Sequence, residues 1–523
     1  MKAVFNFKDK LFYLFLLLVI TIVYFASFYS GPLWDDDFFI FKNQQIISNN
    51  NPFVFFNPFD KDHRAWPLGY FIFWVFYQVI GTKWLLYKAL NIILHFINSV
   101  LVYKLFRRSF SKLAFIPTLL FAIHPLHVET VSWIFQFNTM LASTTVLVSL
   151  LYWFDFLDNR DKPNYLRALT FFVTSLFIKS YAVFIPFYFL FLMFKRNEKN
   201  YIFIVPFFVA SLIAGLSTVR GVISSPLELR TMVEFHTKKL EPEKVVLKAP
   251  LAQFVENIEH LPEDVKDIPL NALEENLPPE TGDQAKSEIE GSSIVDLSLI
   301  DDITLFIELA ANRYILMSRN FFYYLKSYMG LTNRVLFAPQ HDPTSSTQII
   351  SSLFVFTGFI ALCFLACTNS IKMPKSKPYL IMLLCSFIPI SGLVYVPFMK
   401  YSSVSDHWTY MMLIPASYIS YSFLNYIFLK FGELKKVSYI FVVLILFFSF
   451  NTIKYGTIFN DHEVLFIKNI DAYPQNVFLY RYLAKFYDER GEEQRSRRII
   501  ERGLMLHPND IGLIIDLQKS NEK

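Results

Sequence analysis

Residues 11–29, LFYLFLLLVITIVYFASFY, form an apolar run long enough to cross a bilayer, and residues 34–39, WDDDFF, follow it almost at once. Further apolar runs lie at 84–103, 113–133, 139–157, 165–179, 180–194, 200–218, 347–368, 378–398, 409–429 and 437–455. Allowing for short or tilted members, they make about eleven spans, so the expected fold is an all-α polytopic membrane protein. Composition agrees: 54% of the 523 residues are hydrophobic and only 18% charged, with mean hydropathy +0.36. That balance excludes a soluble globular chain.

The net charge of +5 has a topological meaning, because basic loops stay on the cytoplasmic side. With the N-terminus inside, the cytoplasmic segments carry Lys2, Lys8 and Lys10, then Lys104, Arg107, Arg108 and Lys112, then Arg160, Lys162 and Arg167. Lys195, Arg196 and Lys199, Lys372, Lys375 and Lys377, and Lys430, Lys435 and Lys436 continue the series. The short opposite connections at 134–138 and 399–408 hold only Lys400. The expected topology is N-terminus cytoplasmic and C-terminus outside. The first span reads as a signal-anchor rather than a cleaved signal peptide. Cys363, Cys367 and Cys385 fall in apolar spans and offer no disulfide framework. No Asn-x-Ser/Thr acceptor lies in the long outward segments, which favours a bacterial inner membrane.

Two units follow: a membrane domain at 1–455 and an outward tail at 456–523. Within the first, residues 30–83 form an outward loop with the acidic cluster and an interfacial helix near 68–80. Residues 219–346 form a long outward segment whose part near 228–302 is an acidic, Pro-containing insertion. In the tail, Pro474 and Pro508 stand one tetratricopeptide period apart, about 34 residues. Tyr480, Leu483, Ala484, Tyr487, Ser496, Ile500 and Gly503 fall where that helical pair needs aromatic, large and small residues. Residues 461–472 read as the closing helix of a preceding repeat and 509–519 as a cap. One complete repeat cannot bury a continuous core alone, so the tail is expected to dock on the membrane domain.

Polar residues near or within apolar spans mark candidate sites. Asp35, Asp36 and Asp37 are carboxylates held close to hydrocarbon and to one another; the plainer alternative is a solvated loop. His124, His127 and Glu129 lie late in the span 113–133, and Asn91, His95 and Asn98 share one face of the span before it. His124 and His127 are spaced to reach one metal ion, but Glu129 does not share their face, so hydrogen bonding to phosphate or hydroxyl is favoured over a metal site. Interhelix hydrogen bonding is the competing structural role for His95. Arg64, Lys179, Asp406 and His407 add charge at the outer face, and each alone is also consistent with an interfacial snorkelling residue.

The series Trp34-Asp35-Asp36-Asp37, Arg64-Ala65-Trp66-Pro67-Leu68, Asn91 to His95 to Asn98, His124-Pro125-Leu126-His127-Val128-Glu129 and Asp406-His407-Trp408-Thr409-Tyr410, closed by the repeat tail, resembles the transmembrane-and-tetratricopeptide glycosyltransferases. Those are multispanning GT-C enzymes similar to protein O-mannosyltransferases. The resemblance implies a GT-C-like bundle and a sugar transferase acting on the outer face, with a polyprenyl-phosphate-linked donor and a protein or glycan hydroxyl acceptor. It implies an acidic residue of the first outward loop as catalytic base, which maps to Asp35 or Asp36. Asp37, Arg64, His95, His124, His127, Glu129, Lys179, Asp406 and His407 are the matching donor-site residues. The chain departs from the family pattern at Lys179-Ser180, where Lys-Glu is common, and at His407, where Arg is common.

Elementary chemistry agrees: a hydroxyl attacking an anomeric carbon loses a proton that a nearby carboxylate takes, while cations stabilise the departing phosphate. No nucleic-acid partner and no obligatory cofactor are expected. Two other classes remain open on the sequence. A lipid or glycan transporter would share the intramembrane polar residues but lacks here an inverted repeat. A non-enzymatic assembly factor would use the tail for docking and leave the acidic cluster without a task.

Overall fold

A bilayer leaves every backbone N–H and C=O dependent on an internal partner, and apolar runs meet that demand by becoming helices. The computed structural model describes residues 7–29, 31–33, 36–48, 51–56, 66–109, 114–223, 299–332, 336–337, 346–368, 376–394, 397–430, 434–459 and 461–521. Asp35, Arg64 and residues 224–298 of the acidic insertion lie outside them. No strand occurs among the described residues.

The membrane domain runs α1 (Phe7–Val23), α2 (Pro67–Ile80), α3 (Trp84–Ser109), α4 (Phe115–Ala122), α5 (Val128–Ser132), α6 (Phe137–Asn159), α7 (Lys162–Ile178), α8 (Ile185–Lys195) and α9 (Val205–Ile223). It continues with α10 (Leu299–Tyr328), α11 (Ser346–Cys367), α12 (Lys377–Phe387), α13 (Tyr410–Lys430) and α14 (Leu434–Ile458). Among the described residues five helices are long and apolar enough to cross a membrane: Trp84–Arg108, Ile134–Asn159, Tyr201–Thr218, Ser346–Cys367 and Tyr439–Ile458. The other six expected spans are helical but shorter, broken or less apolar. The expected cytoplasmic ends gather on one side: Arg107 pairs with Asp9 at 2.7 Å, Arg196 with Asp158 at 2.5 Å, and Arg108 with Asp155. The three cysteines are free, as expected.

The expected span at 113–133 is not one helix. Its helix stops at Ala122, and the chain then proceeds through a turn at Pro125–His127, the short α5 and a second turn at Ile134–Gln136. Eight residues of helix rise only about 12 Å, too little to cross hydrocarbon. Such irregular backbone is tolerated at membrane depth only when protein surrounds it. Every residue from Pro117 to Met140 is buried.

The carbonyls that the break sets free are met by a polar stripe on α3. Lys88 Nζ donates to the Ser132 carbonyl, Asn91 Nδ2 to Val131 and Trp133, and His95 Nε2 to Ala122, while Asn98 Nδ2 reaches the Met140 carbonyl within α6. The spacing 88, 91, 95, 98 keeps all four on one helix face. Tyr24 Oη reaches the Ala122 and His124 carbonyls, and Thr452 Oγ1 the Ile123 carbonyl.

Residues 299–328, expected within an outward segment, form the long helix α10, and its second half packs inside the bundle. Phe321 stacks on Phe359 at 4.6 Å and meets Phe387 edge-on, while Tyr328 Oη donates to Ser420. The interfacial helix expected near 68–80 is α2. Gly69 lets it approach α6, since a Cβ there would sit 2.8 Å from Asn138 Nδ2.

The tail forms α15 (His462–Ala472), α16 (Val477–Asp488), α17 (Glu493–Leu506) and α18 (Ile511–Asn521). All seven repeat positions named above are buried between them. The tail also rests on the membrane domain. Asn469 Oδ1 accepts the Phe337 amide at 2.9 Å, and Phe478 meets Tyr401 at 4.5 Å and Phe337 at 5.3 Å.

Candidate functional site

Four of the sequence-selected residues, Glu129, Lys179, Asp406 and His407, converge where the broken segment meets the turns after α7 and before α13. Glu129 Oε2 accepts three hydrogen bonds, from Ser405 Oγ, the His407 amide and His407 Nδ1, each at 3.0 Å. Glu129 is fully buried, and these bonds offset the cost of placing a carboxylate there. The arrangement pins the 405–409 turn onto α5. Asp406 is also buried, and its charge reaches Tyr323 and Tyr324 of α10.

Lys179 follows the end of α7 and is 3% exposed. Its Nζ donates to Thr139 Oγ1 at 2.7 Å and to Gln136 Oε1 at 3.2 Å, and lies 4.6 Å from the Tyr181 ring centroid and 5.5 Å from that of Trp66. Thr139 and Tyr181 also line a small pocket of about 10 Å³ between α6, α8, α12 and α13. Its walls are mainly apolar, with Val146, Ile185 and Met411 beside Ser143 and Ser386. A cation thus stands directly behind two residues of an apolar pocket, where it can meet an anion.

The carboxylates of the first loop separate. Asp36 is fully buried; its Oδ1 accepts the Phe135 amide at 2.7 Å and its Oδ2 the Leu33 amide at 2.8 Å. Asp37 faces outward and pairs with Lys42 at 2.7 Å, both partners well exposed. Its hydrogen bond raises the Lys42 ammonium above its usual range, though an exposed pair of this kind contributes little stability.

The histidines lie deeper. His95 is held between the Tyr410 hydroxyl and the Ala122 carbonyl, both at 2.8 Å, which fixes Nε2 as the protonated nitrogen. His124 Nδ1 accepts the Leu126 amide while Nε2 donates to the Tyr328 carbonyl, and its ring stacks on Tyr328 at 4.6 Å. His127 is buried among Phe121, Tyr410 and His95, with the Phe121 carbonyl beside it but outside hydrogen-bond geometry. No group of three or more His, Cys, Asp or Glu is arranged to hold a metal among the described residues. These three imidazoles occupy the packed interior beneath the Glu129 and Lys179 cluster.

Lys88, Gln136, Thr139 and Ser405 escaped the sequence reading. The spacing of Lys88 from Asn91, His95 and Asn98 was a usable signal. Ser405 carried none for its bond to Glu129, which lies 276 positions away.

By fold this is an all-α polytopic membrane protein with a helical tail. Residues 62–219 match the family model described as dolichyl-phosphate-mannose-protein mannosyltransferase. Among curated proteins, the protein O-mannosyl-transferase F38B6.6 of Caenorhabditis elegans is 28% identical over 153 residues, and the protein O-mannosyl-transferase TMTC3 of Homo sapiens 29% identical over 143. These stretches cover 26% and 25% of this chain, and only 22% and 16% of the respective relatives. No solved structure matches the chain. Together the matches support a place for it in an O-mannosyltransferase-like family of the GT-C kind. The matched segment holds Lys88, the broken segment and Lys179; Asp36, Asp406 and the tail lie beyond it.

Proposed function

We propose that this protein is a membrane glycosyltransferase that moves a sugar from a polyprenyl-phosphate donor to a hydroxyl acceptor, with inversion, on the outer face of an inner or plasma membrane. The observation that carries this reading is Lys179, a buried cation against Thr139 and Tyr181 of a small apolar pocket, within the segment that matches the mannosyltransferase family model. The donor phosphate lies against Lys179. The acceptor is a protein Ser or Thr, or an envelope glycan or lipid.

The acceptor oxygen attacks the anomeric carbon as the bond from that carbon to the phosphate oxygen breaks. The hydroxyl proton passes to a carboxylate, and polyprenyl phosphate leaves with the electron pair. Lys179 stabilises the charge gathering on the phosphate. Asp35 is the base. Asp36, beside it in the chain, has both oxygens committed to backbone amides and serves as the holder of the loop. The Glu129, Ser405 and His407 cluster fixes the turn that carries Asp406 near the same region. The N-terminus is cytoplasmic and the tail external, a topology supported by the basic segments gathered at the opposite end.

The test is incubation of the purified protein with a panel of polyprenyl-phosphate sugars and hydroxyl acceptors, scoring released polyprenyl phosphate. Release above a heat-inactivated control supports the reading. No release with any donor across peptide, glycan and lipid acceptors removes it.

A further inference from the structure

Lys88 lies near the start of α3, where burying an ammonium is costly unless its charge and its protons are met. It is fully buried, and its Nζ donates to the Ser132 carbonyl. The other members of the α3 stripe, Asn91, His95 and Asn98, are neutral donors or a neutral-capable ring, so a carbonyl by itself does not require a cation. The charge has a second object. Asp36 is equally buried, and it grips Phe135, three residues beyond Ser132. The two opposite charges thus hold positions three residues apart on one stretch. Ser27 Oγ adds a bond to Ser132 Oγ at 2.6 Å, so the stretch 132–135 is where the turn after α1, the first outward loop and α3 meet.

We propose that Lys88 is a positioning residue for sugar transfer: with Asp36 it forms a charge-balanced latch across residues 132–135 that fixes the acidic loop over the broken segment. This inference rests on the proposed function for its catalytic consequence, and on geometry alone for the latch. Neutralising Lys88 removes the positive charge of the latch. The first outward loop then shifts against the broken segment. Lys88 touches neither substrate, so its effect falls on turnover rather than on donor binding.

The experiment compares wild type, Lys88→Gln, Asp36→Asn and the double variant, all full length and purified. Gln keeps a donor for the Ser132 carbonyl and removes only the charge. Each single variant is expected to lower the thermal midpoint by several degrees, and the double variant to lose clearly less than the sum. Additive losses overturn the latch. In the transfer assay Lys88→Gln is expected to lose roughly 10²-fold in kcat, the scale of a misplaced reacting group, with donor KM unchanged. Lys88→Arg, which keeps the charge, is expected to recover at least part of that loss. A raised donor KM with unchanged kcat, or no rescue by Arg, overturns the positioning role. A wild type inactive with every donor overturns the proposed function instead, while the stability cycle still decides the latch.

Discussion

Asp36 Oδ1 accepts the backbone amide of Phe135 at 2.7 Å, fastening the first outward loop to the broken segment across 99 positions of sequence. Its other oxygen takes Leu33, so a carboxylate that looks catalytic in sequence is committed to structure. Asp36→Ala leaves two buried amides unpaired and is expected to cost roughly 3 kcal/mol, since hydrogen bonds to charged groups contribute about 1.5–3 kcal/mol each and do not simply add. Chemical or thermal unfolding of the purified protein measures this. A loss below about 0.5 kcal/mol, the range of an ordinary surface change, would contradict the bonding described.

Lys179→Met keeps the length of the side chain and removes its charge from behind Thr139 and Tyr181. Donor KM is expected to rise by about 10-fold or more, corresponding to the loss of a charge-assisted contact of roughly 1.5–3 kcal/mol. Titration with a polyprenyl-phosphate sugar reads it directly, and an unchanged KM places the donor elsewhere.

His462, at the start of α15, carries the pH dependence of tail docking. Burial lowers its pKa below the usual imidazole value and the Lys88 charge lowers it further, against the opposing pull of Asp461, the Pro32 carbonyl and Asp37. The folded pKa is therefore below the unfolded one, and the unfolded chain binds more protons as pH falls. Stability from this group is complete above about pH 6.5 and declines as pH drops from there toward the folded pKa. The thermal midpoint is expected to fall on acidification in that window, and the fall should be shallower in His462→Asn. Identical profiles for the two proteins refute the assignment.

Gly503 lies where α17 meets its neighbours: a Cβ there would stand 3.0 Å from Leu513 Cδ1 and 3.1 Å from Tyr480 Cγ. Gly503→Val is expected to destabilise the tail by about 1–3 kcal/mol through overpacking. Limited proteolysis of the full-length protein should then cut within 477–521 sooner than in wild type. Equal cleavage rates would show that the helices yield without cost.

The sequence disclosed the apolar runs, the clustering of basic segments and the repeat in the tail, because each follows a local rule of length, charge or period. Tyr480, Ser496 and Gly503 are buried as their spacing implies. It did not disclose the break after Ala122. The run 113–133 is apolar enough to read as a span, and only tertiary donors such as Asn91 and Thr452 make irregular backbone tolerable there. The inward packing of α10 was hidden for a related reason: its polar N-terminal half resembles loop, and its aromatic half finds its partners on α11 and α12. Among site candidates, Glu129 and His407 were recognisable as polar residues near the membrane. Their mutual contact spans 278 positions and no periodicity could show it.

If a sugar is transferred from a lipid phosphate with Asp35 as base, wild type and Asp35→Asn must differ in turnover. Release of polyprenyl phosphate by wild type and by Asp35→Asn is measured at saturating donor, with thermal midpoints recorded for both. Asparagine keeps the size of the side chain and cannot accept the proton, so turnover is expected to fall about 10²–10⁴-fold with donor KM and midpoint nearly unchanged. Turnover by Asp35→Asn at the wild-type rate would contradict the account.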